Sequence, residues 1–132
     1  MPGSFIDTNV IVYLASGDPE KADRAESIVA EGGVVSIQVL NEFVNVARRR
    51  MKLSWEEIHA FLSALRALLR VEPLTLAVHE TGLRLAERYG LSTYDAMIAA
   101  AALCNDCDVL WSEDLQDGMR IDGRLRVANP FV

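Results

Sequence analysis

Nineteen of the 132 residues are acidic, too many for all of them to take part in chemistry, so position must select among them. Asp7 closes a short apolar run, Ser4 to Ile6, and Asp114 lies two residues beyond Ser112, the end of a second run that starts at Asp108. In open α/β sheets, sites form beyond the carboxyl ends of the strands, and both acids fall there. Asp95 opens an alanine-rich stretch that is apolar nearly all round. A helix of that kind must be central, so the side chains of its first turn emerge in the interior. Glu42 is the subtler case. At about 100° per residue, Gln38, Glu42, Asn45 and Arg49 form a polar strip, with Glu42 nearest the apolar arc. That border suits an acid lining a cleft and equally a solvated surface glutamate.

Each acid has a plainer reading as well. Asp7 can be an N-cap, Asp95 the reciprocal partner of Ser92 in a capping box, and Asp114 a turn residue. Together they are less easily dismissed, because two strand ends and a central helix start converge on one sheet edge. Carboxylates gathered without compensation raise each other's pKa, so such a cluster makes sense chiefly around a cation. Oxygen donors without histidine or cysteine point to Mg²⁺ or Mn²⁺ rather than zinc. Such a site supports phosphoryl transfer: one metal lowers the pKa of an attacking water, and a second, if present, stabilises the leaving oxygen.

The elements that must position these acids follow from periodicity and punctuation. A strand over Ser4 to Ile6 leads through Asp7-Thr8-Asn9 into a helix from Val10 to Ala15. Gly17-Asp18-Pro19 starts a helix that Gly32-Gly33 stops. Val34-Val35 is a short strand, with Ser36 as the cap of an amphipathic helix over Ile37 to Lys52. Its apolar face carries Leu40, Val44, Ala47 and Met51, widened by Val39, Phe43 and Val46. Ser54-Trp55-Glu56-Glu57 is a capping-box pattern for a helix to about Leu69. Val71 to Leu74 is extended, Thr75 to Tyr89 helical with Gly90 after it, and Ser92 caps the alanine-rich helix. Asp108 to Ser112 is a strand, and Leu125 to Ala128 a last, edge strand. Short apolar strands alternating with helices predict an α/β fold, a single domain over residues 1–132 with a short, mostly parallel central sheet flanked by helices.

Composition narrows the class. Hydrophobic residues make up 51% and charged residues 24%, which argues against disorder. The longest apolar stretch, Ala96 to Cys104, is about half of the roughly 20 residues that span a bilayer. Met1, Pro2, Gly3 and Ser4 carry no basic leader, so the expected compartment is the cytoplasm, with no membrane partner. A net charge of −6 counts against a module that grips nucleic acid by electrostatics alone, and less against an enzyme whose acids bind cations. Cys104 and Cys107 form a lone CxxC with His59 and His79 far away, and read as reduced packing residues.

Four blocks, Phe5-Ile6-Asp7-Thr8-Asn9-Val10, Val39-Leu40-Asn41-Glu42-Phe43, Leu91-Ser92-Thr93-Tyr94-Asp95-Ala96 and Leu110-Trp111-Ser112-Glu113-Asp114-Leu115, occur in this order and at these separations. In this the chain resembles the PIN domain, the nuclease fold of the VapC toxins of toxin–antitoxin pairs, over essentially its whole length. The resemblance implies that Asp7, Glu42, Asp95 and Asp114 form an acidic site for one or two Mg²⁺ or Mn²⁺ ions. It places Asp117 as a second-rank ligand, and Thr8, Asn9 and Ser112 as groups that orient the carboxylates. It further implies endoribonuclease activity on single-stranded or loop RNA, a homodimer, and a cognate antitoxin whose arginine enters the acidic site. Trp55, Phe61, Leu62 and Leu65 are groove candidates for that antitoxin, and equally core residues at helical spacing. Glu113 is expected at the surface. Arg48-Arg49-Arg50 with Lys52 either complements a helix C-terminus or, through Arg49, steers phosphate.

Rival chemistries lack residues they need. A haloacid-dehalogenase-like phosphatase requires a second acid where Asn9 stands. A receiver domain requires an acidic pair near the first strand and a late lysine, whereas the last lysine is Lys52. A structure-specific DNA nuclease with a related core would be longer, and a non-catalytic binding module leaves the placed acids without a role.

Overall fold

The computed structural model describes residues 3–132; Met1 and Pro2, the start of the stretch read above for a leader, lie outside them. In chain order the elements are β1 (Gly3–Ile6), α1 (Thr8–Leu14), α2 (Pro19–Ala30), β2 (Val34–Ser36), α3 (Ile37–Arg49), α4 (Trp55–Leu68), β3 (Arg70–Glu72), α5 (Leu76–Tyr89), α6 (Thr93–Cys104), β4 (Cys107–Trp111), β5 (Arg120–Ile121) and β6 (Leu125–Ala128). The sheet runs β3-β2-β1-β4-β6-β5, with every pair parallel except β5–β6. This is the expected α/β architecture: parallel neighbours require crossovers, and the helices supply them while covering the sheet.

The central strands are the most buried. Phe5, Ile6 and Leu110 are fully enclosed, and α6 contributes Ala96 and the run from Ile98 to Leu103. Alanine has no long side chain to hold neighbours away, so α6 packs closely on α5 and β4. In α3 the buried stripe is Val39, Phe43 and Ala47, at four-residue spacing, with Phe43 stacked on Phe61 of α4 at 4.6 Å. Leu40 and Val44, placed on the core face from the sequence, are only half-buried beside α4. The Ser54–Glu57 capping box forms with both of its hydrogen bonds.

Several local expectations change. Leu125 to Ala128 is not an edge strand, because β5 folds back on β6 through Asp122 (φ 54°) and Gly123 (φ 66°). Two successive positive-φ residues are what a tight hairpin turn needs, and Asp-Gly is its sequence signal. Arg84 of α5 grips the Asp122 carboxylate with two nitrogens at 3.2 and 2.7 Å and holds it below its ordinary pKa. Ser36 precedes α3 but makes no side-chain cap bond, and its hydroxyl is buried without a partner among the described residues. Leu65 is core and Phe61 is packed on Phe43, so of the proposed groove residues only Trp55 is well exposed, with Arg48 4.5 Å over its ring. Both cysteines are free. Cys107 is buried and its thiol pushed up to about 11 by burial, while Cys104 is exposed rather than packed.

Candidate active site

The site begins where β1 and β4 end side by side. The Asp7 N–H donates to the Trp111 carbonyl at 3.0 Å, and the Ser112 N–H donates to the Ala128 carbonyl at 3.0 Å, so both strand ends are tied into the sheet. Asp7 does cap α1: its Oδ1 accepts the Thr8 N–H at 2.6 Å. Capping alone does not explain its burial, since an ordinary cap sits in solvent and Asp7 is 4% exposed. Its other oxygen accepts from the Ser112 hydroxyl at 2.7 Å and from Asn9 Nδ2 at 3.3 Å. Asn9 also donates to Asp114 Oδ2 at 3.1 Å, and its side-chain Oδ1 accepts the Glu113 N–H at 3.2 Å. Ser112 Oγ accepts the Asp114 N–H at 3.1 Å. Asn9 and Ser112 thus clasp the start of α1 to the loop after β4, and fix both carboxylates by hydrogen bonds.

Glu42 reaches the same region from α3. Thr8 Oγ1 donates to its Oε1 at 2.5 Å, and Gln38 Nε2 donates to its Oε2 at 3.3 Å. The same Gln38 amide donates to the Tyr94 carbonyl at 3.2 Å, which joins Glu42 to the start of α6. Gln38 is the positioning residue that the sequence reading left in a polar strip. It is buried, and the usable signal was its place one helical turn before Glu42.

Asp95 is half-buried in the first turn of α6. Ser92 accepts its backbone N–H at 3.2 Å, but among the described residues the return bond that completes the box in α4 is not formed here. The cap therefore does not consume the Asp95 carboxylate. Asp117 goes elsewhere: its Oδ1 accepts the Asn129 N–H at 2.8 Å and braces a loop, and it does not line the cleft. Glu113, expected at the surface, is half-buried on the cleft wall and pairs with Lys21 at 3.7 Å.

A cleft of about 520 Å³ opens between α1, α3 and the loop after β4, with Thr8, Asn9, Glu42, Asp114 and Arg50 on its walls. Arg49, the strip residue, is not among them. Burial pushes the Asp7 carboxyl up to about 6; hydrogen bonds from Ser112 and Thr8 oppose this, and the charges of Asp114 and Glu42 add to it. Among the described residues no group of three or more acidic, histidine or cysteine side chains is placed to hold one ion. The chemistry of the donors nonetheless fits a hard divalent cation, because all are oxygens and a buried, mutually repelling carboxylate is relieved by a positive charge. The structure joins Asp7, Glu42 and Asp114 through bonds from Thr8, Asn9 and Ser112, and neither Asp7 nor Asp95 is among the residues lining the cleft.

This predicts a pH signature in metal-free protein. Asp7 is raised above its unfolded value of 3.8, so its stabilising contribution is full below that value and is lost as pH rises through about 6. At pH 7.5 the ionised carboxylate therefore opposes folding. Asp7→Asn should raise stability there by about 1–2 kcal/mol, less than the full shift because asparagine does not reproduce the bond from Ser112. The gain should vanish by pH 4 in thermal melts with chelator, and Mn²⁺ should stabilise only the wild type. Equal melting temperatures across that range would count against the assignment.

Residues 4–116 match the family described as the PIN domain. The chain belongs to the PIN-domain family. PIN nucleases generally use divalent metals, which agrees with the donor chemistry of the cleft. This PIN domain is similar in structure to a toxin–antitoxin complex from Klebsiella pneumoniae, with 22% identity, coverage of 96% of this chain and 97% of that one, and a TM-score of 0.74. It is also similar to the Mycobacterium tuberculosis VapC20, a sarcin–ricin loop cleaving toxin, at 21% identity over 84% of this chain and 91% of that one, TM-score 0.66. A third similar structure is VapBC2 of Rickettsia felis bound to a promoter DNA fragment, with 20% identity, coverage of 96% and 97%, and a TM-score of 0.69. No curated protein sequence matches the chain.

Proposed function

We propose that this PIN domain, as one unit over residues 1–132, is a divalent-metal-dependent endoribonuclease and the toxin of a toxin–antitoxin pair. The observation that carries the reading is the buried Asp7 carboxylate at the strand ends, clasped through Asn9 and Ser112 to Asp114, with Glu42 brought in by Thr8. The description of VapC20 as a loop-cleaving toxin supports RNA as substrate, and the complexes with antitoxins support a cognate antitoxin here. A homodimer and a cytoplasmic location belong to the same proposal. Among the described residues no helix is long and apolar enough to cross a membrane.

Mg²⁺ or Mn²⁺, one ion or two, would lower the pKa of the attacking water and neutralise charge on the phosphoryl oxygens. The chain's own groups do the rest. Thr8, Asn9, Ser112 and Gln38 hold the carboxylates in place before substrate arrives, so little reorganisation is needed during reaction. Arg50 lines the cleft, is exposed, and has no carboxylate partner among the described residues. It is the cation available to a phosphate beside the acids. Arg50→Ala should raise KM roughly 10-fold with a smaller effect on kcat, the pattern of a lost binding contact. A fall in kcat alone would assign Arg50 a different role.

The deciding experiment is cleavage of labelled total RNA by folded, antitoxin-free protein with Mg²⁺, with Mn²⁺, with EDTA, and with Asp95→Asn as control. Discrete cuts that need metal and disappear in the variant support the proposal. Cleavage of DNA in place of RNA would transfer the chain to a DNA nuclease.

A further inference from the structure

A second cavity, of about 450 Å³, lies between α3 and the N-terminal ends of α5 and α6. Glu42 and Gln38 form its inner wall, and Glu42 also lines the acidic cleft, so the two spaces meet at one carboxylate. Their chemistry differs. The cleft carries acids and Arg50. The cavity has no lysine, arginine or aspartate on its walls, and Leu74, Val78, Tyr94 and Met97 are among the residues that line it. Asn41 and His79, which also line it, make no side-chain hydrogen bond among the described residues. A phosphate gains nothing there, whereas a flat neutral group with polar edges does.

Tyr94 decides the kind of group. It is 70% exposed although it immediately precedes Asp95, and its backbone is pinned by the Gln38 bond at 3.2 Å. An exposed aromatic residue on a fixed backbone, in a cavity that shares Glu42 with the acidic cleft, can serve as a stacking platform, and every nucleobase has a face to lay on such a ring.

We infer that this cavity receives one unpaired nucleobase next to the scissile phosphate, stacked on Tyr94 with its edge toward Asn41 and His79. The inference rests on the nuclease reading above. A base within a duplex is already stacked and paired, so the subsite selects nucleotides in single strands and loops, where a base can be splayed out. The acids cut, and the cavity sets which strand geometry reaches them.

The test uses an oligonucleotide carrying a cleavage site found in total RNA, and a series with one abasic residue at each position flanking the cut. For wild-type protein, one abasic position should lower kcat/KM about 10- to 100-fold, the range of a lost stacked base. Tyr94→Ala should show a similar loss on intact RNA and no further loss on that abasic substrate, and Tyr94→Phe should regain sensitivity to the missing base. Indifference to every abasic position, or penalties that multiply independently of Tyr94, would overturn the subsite. So would a Tyr94→Ala variant that only dissociates a dimer in light scattering while keeping the abasic penalty, since the cavity would then belong to a second copy of the chain. If the protein cuts no RNA, the nuclease reading fails on its own. Photo-crosslinking of single-stranded RNA containing 5-bromouridine then decides the subsite: an adduct on Tyr94 or Met97 supports it, and adducts elsewhere or none overturn it.

Discussion

Asp95→Asn is expected to lower the proposed metal-dependent cleavage by about 10³-fold or more while the protein stays folded. The barrier rises by about 4 kcal/mol for each thousandfold loss, which is the scale expected when one charged group that stabilises the transition state is removed. Folding should be spared because the cap of α6 uses the Asp95 backbone N–H and the Ser92 hydroxyl, neither of which changes. The side chain is half-buried and makes no bond that asparagine would break among the described residues. Single-turnover cleavage of RNA with Mn²⁺, beside circular dichroism and a thermal melt, reads both halves of the prediction. Wild-type turnover in the variant would remove Asp95 from the site. Asp7→Asn should lose activity to a similar degree while gaining stability without metal, so the two variants separate a shared catalytic loss from opposite structural surroundings.

The largest loss of stability should come from a residue with no side chain. Gly33→Ala is expected to cost about 2–4 kcal/mol and lower Tm by roughly 10 °C. Gly33 sits between α2 and β2 at φ 149°, and a Cβ there would stand 2.9 Å from the Ser4 carbonyl oxygen of β1. That oxygen is backbone in the central strand, so relief requires moving β1. The Gly33 carbonyl also accepts the Arg70 N–H at 2.9 Å, which blocks retreat toward β3. Gly90, with φ 67° and nothing within 4 Å of an added Cβ, is the control: Gly90→Ala meets only backbone strain and should cost about 1 kcal/mol. A Gly33→Ala protein as stable as wild type would show that β1 and β2 do not constrain each other at this point. Because Asp7 follows β1 directly, any shift of the strand should also weaken metal binding.

Much of this molecule is set by local order in the chain. The alternation of apolar runs, glycine stops and capping residues marks the main strands and all six helices, since cap bonds and periodic burial act over a few residues. The short hairpin strand before Leu125 escaped that reading although Asp122-Gly123 announces it, because two residues are too few to show a period. Acids placed at strand ends and at the start of the most apolar helix were legible for the same local reason.

Tertiary structure decided what those acids touch. Asn9 and Asp114 are 105 residues apart in sequence, and no spacing shows that one amide spans Asp7 and Asp114, or that Gln38 links Glu42 to the carbonyl of Tyr94. The same holds for Arg50 in place of Arg49 at the cleft: Arg50 caps α3 with its N–H on the Val46 carbonyl at 2.8 Å, one turn beyond Val46 on the cleft wall, and only the cleft's position shows that this side of the helix faces it. Asp117 is drawn away to the Asn129 N–H by the turn of its own loop. Periodicity carries information only along one element, whereas these bonds link several, and they exist only once the sheet has brought the ends of the central strands β1 and β4 together.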